Sequence, residues 1–240
     1  MTCIVSAYYK IPSKQTHAWY TPYLVRWFRS VGKAPNVHFF TTEDVKTELL
    51  SLVDVGGVVF HILPFASFTA MNLGREFWER QYARDPERYH SPELGMMWYE
   101  KRHFVRRVME IDPSDVFIWC DAGCVRTDTT EKAARGFGTR NLSVNDNTLH
   151  LQQVAPMLDK PFYRFPDKTV GCGIMIGNRS AWQGFTADYE ERLREYDNAG
   201  IPAIMDQYPV VRCVRMNPTG YTLHAPPVTI DEWFLFLEIF

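Results

Sequence analysis

Short apolar runs alternate with amphipathic helical patterns through the first half of the chain. The runs are rich in β-branched and aromatic residues, which predicts buried strands. They cover residues 3–9, 37–41, 58–63 and 116–120. Between the first three runs, apolar residues recur every three or four positions. This spacing predicts one helix capped by Thr21 with Pro22 at its first position and closed by Gly32, and a second helix that begins after Thr42.

The second half predicts fewer regular elements. A glycine-flanked apolar run, Gly171–Gly177, is typical of a strand, and Ser180 followed by Gln183 predicts a capped helix that ends near Gly200. The segment 126–166 predicts mostly loops. It includes an apolar piece at residues 142–144 and a proline-bounded aromatic loop at residues 160–166.

Strands that alternate with helices are typical of an α/β protein. We therefore expect a single domain over residues 1–240, with a mixed, mostly parallel sheet flanked by helices. We divide it into two halves, residues 1–125 and residues 126–240. Hydrophobic residues make up 46% of the chain, which is enough for a sizeable core and excludes a disordered protein.

Charge and cysteine content restrict partners and compartment. The formal net charge is −2 and the basic residues are spread along the chain, which argues against a nucleic-acid partner. The five cysteines lack the spacing of a zinc ribbon, and no signal peptide or membrane-spanning run is recognisable, so we expect a cytoplasmic protein with reduced thiols and no transmembrane segment. The apolar residues 233–240 either dock onto the body, contact a membrane surface peripherally, or contact a further domain.

Candidate chemistry centres on the end of the strand 116–120. This strand leads directly into Asp121, and in parallel sheets ligands collect at the carboxyl ends of the strands. The residues at the end of the first strand, Ser6 to Tyr9, are expected at the same edge. The alternative is that Asp121 only caps the following turn.

Lys101 interrupts the apolar stripe of the helix predicted over residues 94–110. Burying an unpaired ammonium group is costly, so its side chain either extends to solvent or meets an anion such as Asp121 or a ligand phosphate.

Two stretches carry a family resemblance: Trp98-Tyr99-Glu100-Lys101, and the run from Phe117 to Arg126 (Phe-Ile-Trp-Cys-Asp-Ala-Gly-Cys-Val-Arg). Together they resemble the bacterial HtrL/YibB-like family, which is similar to glycosyltransferases of the GT-A fold. The resemblance implies transfer of a sugar from a nucleotide-diphosphate sugar to a glycan acceptor, with Mn²⁺ or Mg²⁺ on the diphosphate.

The resemblance also implies roles for single residues. The nucleotide would contact Ser6, Ala7, Tyr8, Asp121 and Gly123. Gly123 is a departure, because GT-A enzymes usually carry a second aspartate at that position.

Four of the implied roles concern the metal and the catalysis. Asp121 and His224 would hold the metal, Lys101 would bind phosphate or organise the site, and Asp206 would take the proton from the acceptor hydroxyl. A surface or core position for His224 and a helix N-cap role for Asp206 are the alternatives.

Two other functions remain open. A non-catalytic GT-A-like module would bind a nucleotide or glycan within a larger protein, and the absence of a second aspartate fits it. A nucleotide-binding enzyme such as a methyltransferase would require a glycine-rich first loop, and residues 6–11 contain no glycine.

Overall fold

A computed structural model describes most of the chain. The described residues are 1–13, 15–87, 89–139, 144, 147–157, 169–225, 233 and 236–240. The strands in this part are β1 (Thr2–Ala7), β2 (Val37–Thr41), β3 (Val59–Ile62), β4 (Val116–Cys120), β5 (Leu149–Gln153), β6 (Val170–Asn178) and β7 (Tyr221–His224). They form one seven-stranded sheet in the order β3-β2-β1-β4-β6-β5-β7.

The sheet is mixed and mostly parallel. β3, β2, β1 and β4 run parallel to one another, β6 runs antiparallel to both of its neighbours, and β7 is parallel to β5. The predicted α/β fold with a mixed, mostly parallel sheet is therefore confirmed. Because side chains alternate between the faces of a strand, Ile4 and Val5 enter different cores.

Helices cover both faces of the sheet. The described helices are α1 (His17–Arg29), α2 (Glu43–Leu52), α3 (Arg75–Ala83), α4 (Pro92–Met109), α5 (Asp128–Ala134), α6 (Arg179–Asn198), α7 (Gln207–Met216) and α8 (Phe236–Ile239). The first face packs against α3, α4, α6 and α7. The second face packs against α1, α2, α5 and α8, which completes a three-layer arrangement.

The first helix begins earlier than its sequence predicts. Thr16, not Thr21, is the N-cap: its side chain accepts a hydrogen bond from the Trp19 amide, and Pro22 lies inside the helix. The Thr21 hydroxyl instead donates to the carbonyl of His17 at 3.0 Å. The prediction was wrong because Thr-Pro matches a cap signal at a place where the helix is already formed.

The N-terminus of α6 corrects a second cap. Asn178 is the N-cap and accepts from the Ala181 amide at 2.8 Å, so the predicted capping box at Ser180 is wrong. Asn178 also ends β6, so the strand passes into the helix without a loop.

The predicted loop segment 126–166 contains regular structure. Helix α5 begins after Thr127, which forms a capping box with Thr130, and β5 joins the sheet between β6 and β7. Of the predicted apolar piece at 142–144 only Val144 is described, and the aromatic loop at 160–166 lies outside the described residues.

The described C-terminal residues dock onto the body. Phe236 and Leu237 are fully buried, and the rings of Phe236 and Phe240 contact His224. Among the described residues, no helix is both long enough and apolar enough to cross a membrane.

Candidate functional site

The candidate site lies where two neighbouring parallel strands end. β1 and β4 are paired in parallel register, so Tyr8 and Asp121 emerge at the same edge of the sheet. A cleft of about 490 Å³ opens there, and its walls include Ala7, Tyr8, Lys101, Asp121 and Gly123. The predicted meeting of the ends of these two strands is therefore observed.

The carboxylate of Asp121 is held in place from two sides. The indole nitrogen of Trp119 donates a hydrogen bond to Oδ1 at 2.7 Å, and the Lys101 ammonium lies 3.1 Å from the same oxygen. The turn after β4 is closed by the backbone, where the Cys124 amide donates to the Asp121 carbonyl at 3.1 Å. The Asp121 side chain is thus left to face the cleft, with about a third of its surface exposed.

Lys101 joins two carboxylates inside the protein. Its ammonium lies 2.9 Å from Asp206 Oδ2, close to Asp121, and it donates to the Cys172 carbonyl at 3.0 Å. Only 6% of the side chain is exposed, so the interpretation in which it extends to solvent is wrong. Burial alone would lower the pKa of Lys101, but Asp121 and Asp206 together raise it above its ordinary value. Lys101 is therefore a fixed positive charge.

Asp206 is the more deeply buried partner of Lys101. It lies at the N-cap position of α7, yet its side chain makes no capping hydrogen bond. Although Oδ2 is close to the ammonium, it has no aligned hydrogen-bond partner, so the contact is an ion pair. Burial raises the pKa of Asp206, and the neighbouring Lys101 acts against that rise.

A second cleft of about 240 Å³ adjoins the first. The clefts share five lining residues, which are His90, Trp98, Lys101, Asp121 and Arg126. The second cleft alone contacts Asp206 and Gln207. Two ligand-sized spaces therefore meet at a cluster of two cations and one carboxylate.

The predicted nucleotide-contact residues separate into two groups. Ala7, Tyr8 and Gly123 line the larger cleft. Ser6 does not: it is fully buried, and its hydroxyl donates to the Cys120 carbonyl at 2.5 Å, which joins β1 to β4. Tyr8 lies beside the ring of Tyr20, at 6.0 Å between centroids, and its hydroxyl is 2.8 Å from His17 Nδ1.

His224 is not brought together with Asp121. It ends β7, and two strands separate β7 from β4, so the two residues are three strand spacings of about 4.8 Å apart along the sheet edge. Its Nε2 lies 2.9 Å from His150 Nδ1, and its ring packs on Phe236.

A different group of possible metal ligands lies at the opposite edge of the sheet. Cys3, His38 and Asp112 place one ligand atom each within 4.8 Å of one another, and within the described ranges they are the one such group of three. They lie where β1, β2 and β4 begin, whereas Asp121 follows the end of β4. This cluster therefore does not form part of the clefts.

Sequence reasoning missed two charged or titratable residues at the junction of the clefts, Arg126 and His90. Arg126 follows Asp121 by five positions and lines both clefts. His90 is held by Asp85, whose Oδ2 lies 2.7 Å from Nδ1, and its ring packs edge-on against Trp98. The signal for Arg126 was its closeness to Asp121 in the chain, whereas His90 lies in a segment that the sequence assigned no role.

Comparison with known proteins identifies the fold. No protein-family model matches the chain, and no curated protein sequence matches it. Mouse xyloside xylosyltransferase 1, in its apo form, superposes with a TM-score of 0.50 at 15% identity and covers 93% of this chain and 85% of its own. A glycosyltransferase involved in glycosylation of the major capsid of PBCV-1 superposes with a TM-score of 0.43 at 12% identity, covering 94% of this chain and 81% of its own. The chain thus shares its α/β fold with a solved glycosyltransferase, while the HtrL/YibB-like resemblance stays a prediction.

Proposed function

We propose that this protein is a glycosyltransferase that moves a sugar from a nucleotide-diphosphate sugar to a carbohydrate acceptor. The observation that carries the proposal is the meeting of two clefts at Lys101, Asp121 and Arg126. A transferase needs two adjoining binding spaces and positive charge at the leaving diphosphate. The shared fold with a glycosyltransferase structure supports the same class.

The larger cleft suits the donor. All of its lining residues except Arg126 lie between Ala7 and Gly123, which supports a nucleotide-binding half over residues 1–125. Tyr8 and Tyr20 offer aromatic surface for a nucleobase, and the Arg126 guanidinium offers paired donors for a phosphate. Asp121 would then accept a hydrogen bond from a ribose or sugar hydroxyl.

The smaller cleft suits the acceptor. It adds residues from Cys172 to Trp233, which supports an acceptor-side half over residues 126–240. In an inverting reaction the acceptor hydroxyl oxygen bonds to the anomeric carbon while the bond from that carbon to the diphosphate breaks. The hydroxyl proton would pass to Asp206, whose raised pKa favours accepting it.

Among the described residues, the clefts lack a set of ligands for the divalent cation that the resemblance implies. Gly123 contributes no carboxylate, and both Asp121 and Asp206 already contact the Lys101 ammonium. In the described part of the chain, no three His, Cys, Asp or Glu side chains converge at the cleft. We therefore assign no step to Mn²⁺ or Mg²⁺ and treat the cation as a separate question for experiment.

Thermal-shift measurements with nucleoside diphosphates and their sugars test the donor site. Ligands that bind the native state raise the melting temperature. At a hundredfold excess over Kd the free energy of unfolding increases by about 2.7 kcal/mol. We expect a saturable rise with at least one nucleotide, and the variant Asp121→Ala should lose both this rise and donor hydrolysis. Asp128→Ala is the matched control, because that carboxylate is 92% exposed and pairs with Arg26.

Failure of every nucleotide to raise the melting temperature, with or without Mn²⁺, would remove the proposal. Retention of donor hydrolysis in Asp121→Ala would remove that residue from the site and leave the rest intact.

The variant Gly123→Asp tests the cation directly. A Cβ at this position would lie 3.5 Å from the ring of Tyr20, which is ordinary contact, so the substitution meets no clash at Cβ. If the missing carboxylate is what keeps the cation out, Mn²⁺ will strengthen nucleotide binding in the variant and leave the wild type unchanged. Strong Mn²⁺ dependence in the wild type would instead confirm the predicted cation.

A non-catalytic binding module is the second candidate. The ion pair between Asp206 and Lys101 favours it, because the ammonium 2.9 Å from the carboxylate opposes the gain in basicity that burial gives Asp206. Nucleotide binding without detectable hydrolysis or transfer across donor sugars would select this function over the enzyme.

A further inference from the structure

A cavity of about 420 Å³ lies between α4 and α6, away from both clefts. It shares no lining residue with either of them. Three guanidinium groups face it, from Arg102, Arg106 and Arg179, against a single carboxylate from Glu110. The lining therefore carries a formal charge of +2, which is unusual for a space between two packed helices.

Arg102 has hydrogen-bonding capacity that the protein leaves unused. It is only 2% exposed, and its guanidinium lies between the rings of Tyr99 and Tyr189, with Cζ at 3.7 and 4.1 Å from their centroids. Nη1 donates to the Tyr99 carbonyl at 2.6 Å. Nε and Nη2 are buried and have no hydrogen-bond partner among the described residues. Both nitrogens are closed to solvent as the side chain stands. Leaving buried donors unpaired costs free energy, so these nitrogens favour a shift of the side chain that brings them to an external acceptor.

The other two guanidinium groups add charge without cancelling it. Arg179 donates to the backbone carbonyls of Met109 and Asp112 and so remains a positive charge at the first residue of α6. Arg106 Nε lies 3.7 Å from Glu110 Oε1, with both side chains about two-thirds exposed, which makes a loose pair at the mouth.

Burial and the positive charges of this region lower the pKa of His103, the neighbour of Arg102 on α4. Burial, as the largest cause, and the charges of Arg102, Arg106 and Arg107 together lower the pKa of His103 to about 3. The region therefore disfavours added positive charge and favours an anion.

We propose that the cavity between α4 and α6 binds the phosphate group of a small molecule. A phosphate offers several acceptor oxygens, which can contact Arg106 and Arg179 and, once a shift of the Arg102 side chain exposes them, its two unused nitrogens. The N-terminus of α6, a helix of 20 residues, adds partial positive charge on the same side. The volume exceeds that of a phosphate ion and leaves room for a sugar-sized body.

Inorganic phosphate is the probe that tests this site. Melting temperature and Kd are measured with sodium phosphate against sodium chloride at equal ionic strength. We expect a saturable rise with phosphate only, and a Kd weakened about tenfold or more in Arg106→Gln and in Arg179→Gln, since each removes a charge-assisted contact. Arg106 is exposed, so its variant tests the site without disturbing the core.

Two control variants separate this cavity from its surroundings. Arg107→Gln removes a cation of the same helix whose side chain contacts Ser67 and Thr69 instead of the cavity. Arg126→Gln removes one of the two cations that line the clefts. Both should retain the wild-type Kd for phosphate.

Phosphate that binds no better than chloride would overturn the inference. So would a loss of binding in Arg126→Gln with wild-type binding in Arg106→Gln, because phosphate would then occupy the clefts, and the proposed transferase would stand. A parallel titration with glucose 6-phosphate identifies the source: tighter binding than inorganic phosphate indicates a phosphorylated metabolite, and equal binding indicates free phosphate.

Discussion

Lys101 and Arg102 are consecutive cations on α4 with opposite surroundings. The Lys101 ammonium lies within 3.1 Å of two carboxylates, whereas within the described ranges no carboxylate pairs with Arg102, which lies between two tyrosine rings. Both are nearly inaccessible to solvent. The comparison shows that burial alone does not give a cation its role: Lys101 balances charges of the protein itself, and Arg102 favours a charge from outside.

Removing the Lys101 ammonium should have the largest effect. In Lys101→Met, Asp121 and Asp206 face each other without a counter-ion, and loss of one partner of a buried ion pair costs about 3–5 kcal/mol. We expect a fall of this size in the free energy of unfolding at pH 7, measured by urea denaturation.

The double variant Lys101→Met with Asp206→Asn is the matched test of that cause. It removes the more buried carboxylate and leaves Asp121 with its hydrogen bond from Trp119, so it should recover at least half of the loss. No recovery would mean that Lys101 contributes through packing and not through charge.

His103, which is buried beside the arginines of α4, should make stability depend on pH. Its pKa is lowered to about 3 in the folded protein, so between that value and about 6.5 the unfolded chain binds a proton that the folded chain does not. Stability from this group is therefore complete at high pH and is lost as the pH falls, by about 2 kcal/mol between pH 8 and pH 5.

The variant His103→Leu isolates this contribution. The difference in unfolding free energy between wild type and variant, measured by urea denaturation from pH 8 to pH 5, should change by that amount. A difference that is constant across the range would contradict the lowered pKa.

The ion pair of Lys101 could be predicted from the sequence, whereas the buried, unpaired nitrogens of Arg102 could not. A lysine inside an apolar stripe, upstream of a strand that ends in an acid, indicates a buried ion pair, because an unpaired buried ammonium is costly. Arg102 instead resembles a solvated basic face, because its burial depends on Tyr189 from α6, 87 positions later in the chain. Local patterns do not encode such a contact.

Sheet order was equally inaccessible. His224 has the late position in the chain that the family resemblance implies for a metal ligand. However, β6 and β5 lie between β4 and β7 in the sheet and separate His224 from Asp121. β5 reads Leu-His-Leu-Gln-Gln, and its alternation of apolar and polar residues covers only four positions, which carries no information about the strands it pairs with.

Replacing Arg102 should have the smallest effect on stability, and that contrast with Lys101 is the sharpest test of the comparison. Arg102→Met loses cation–π contacts with Tyr99 and Tyr189, each worth about 2 kcal/mol or less. It also removes two unpaired buried nitrogens, whose cost is about 1–3 kcal/mol for each group. These terms oppose each other, so we expect a loss below about 1 kcal/mol in urea denaturation without phosphate. A loss as large as that of Lys101→Met would show that Arg102 is already satisfied by the protein, and its two nitrogens would then no longer favour an external anion.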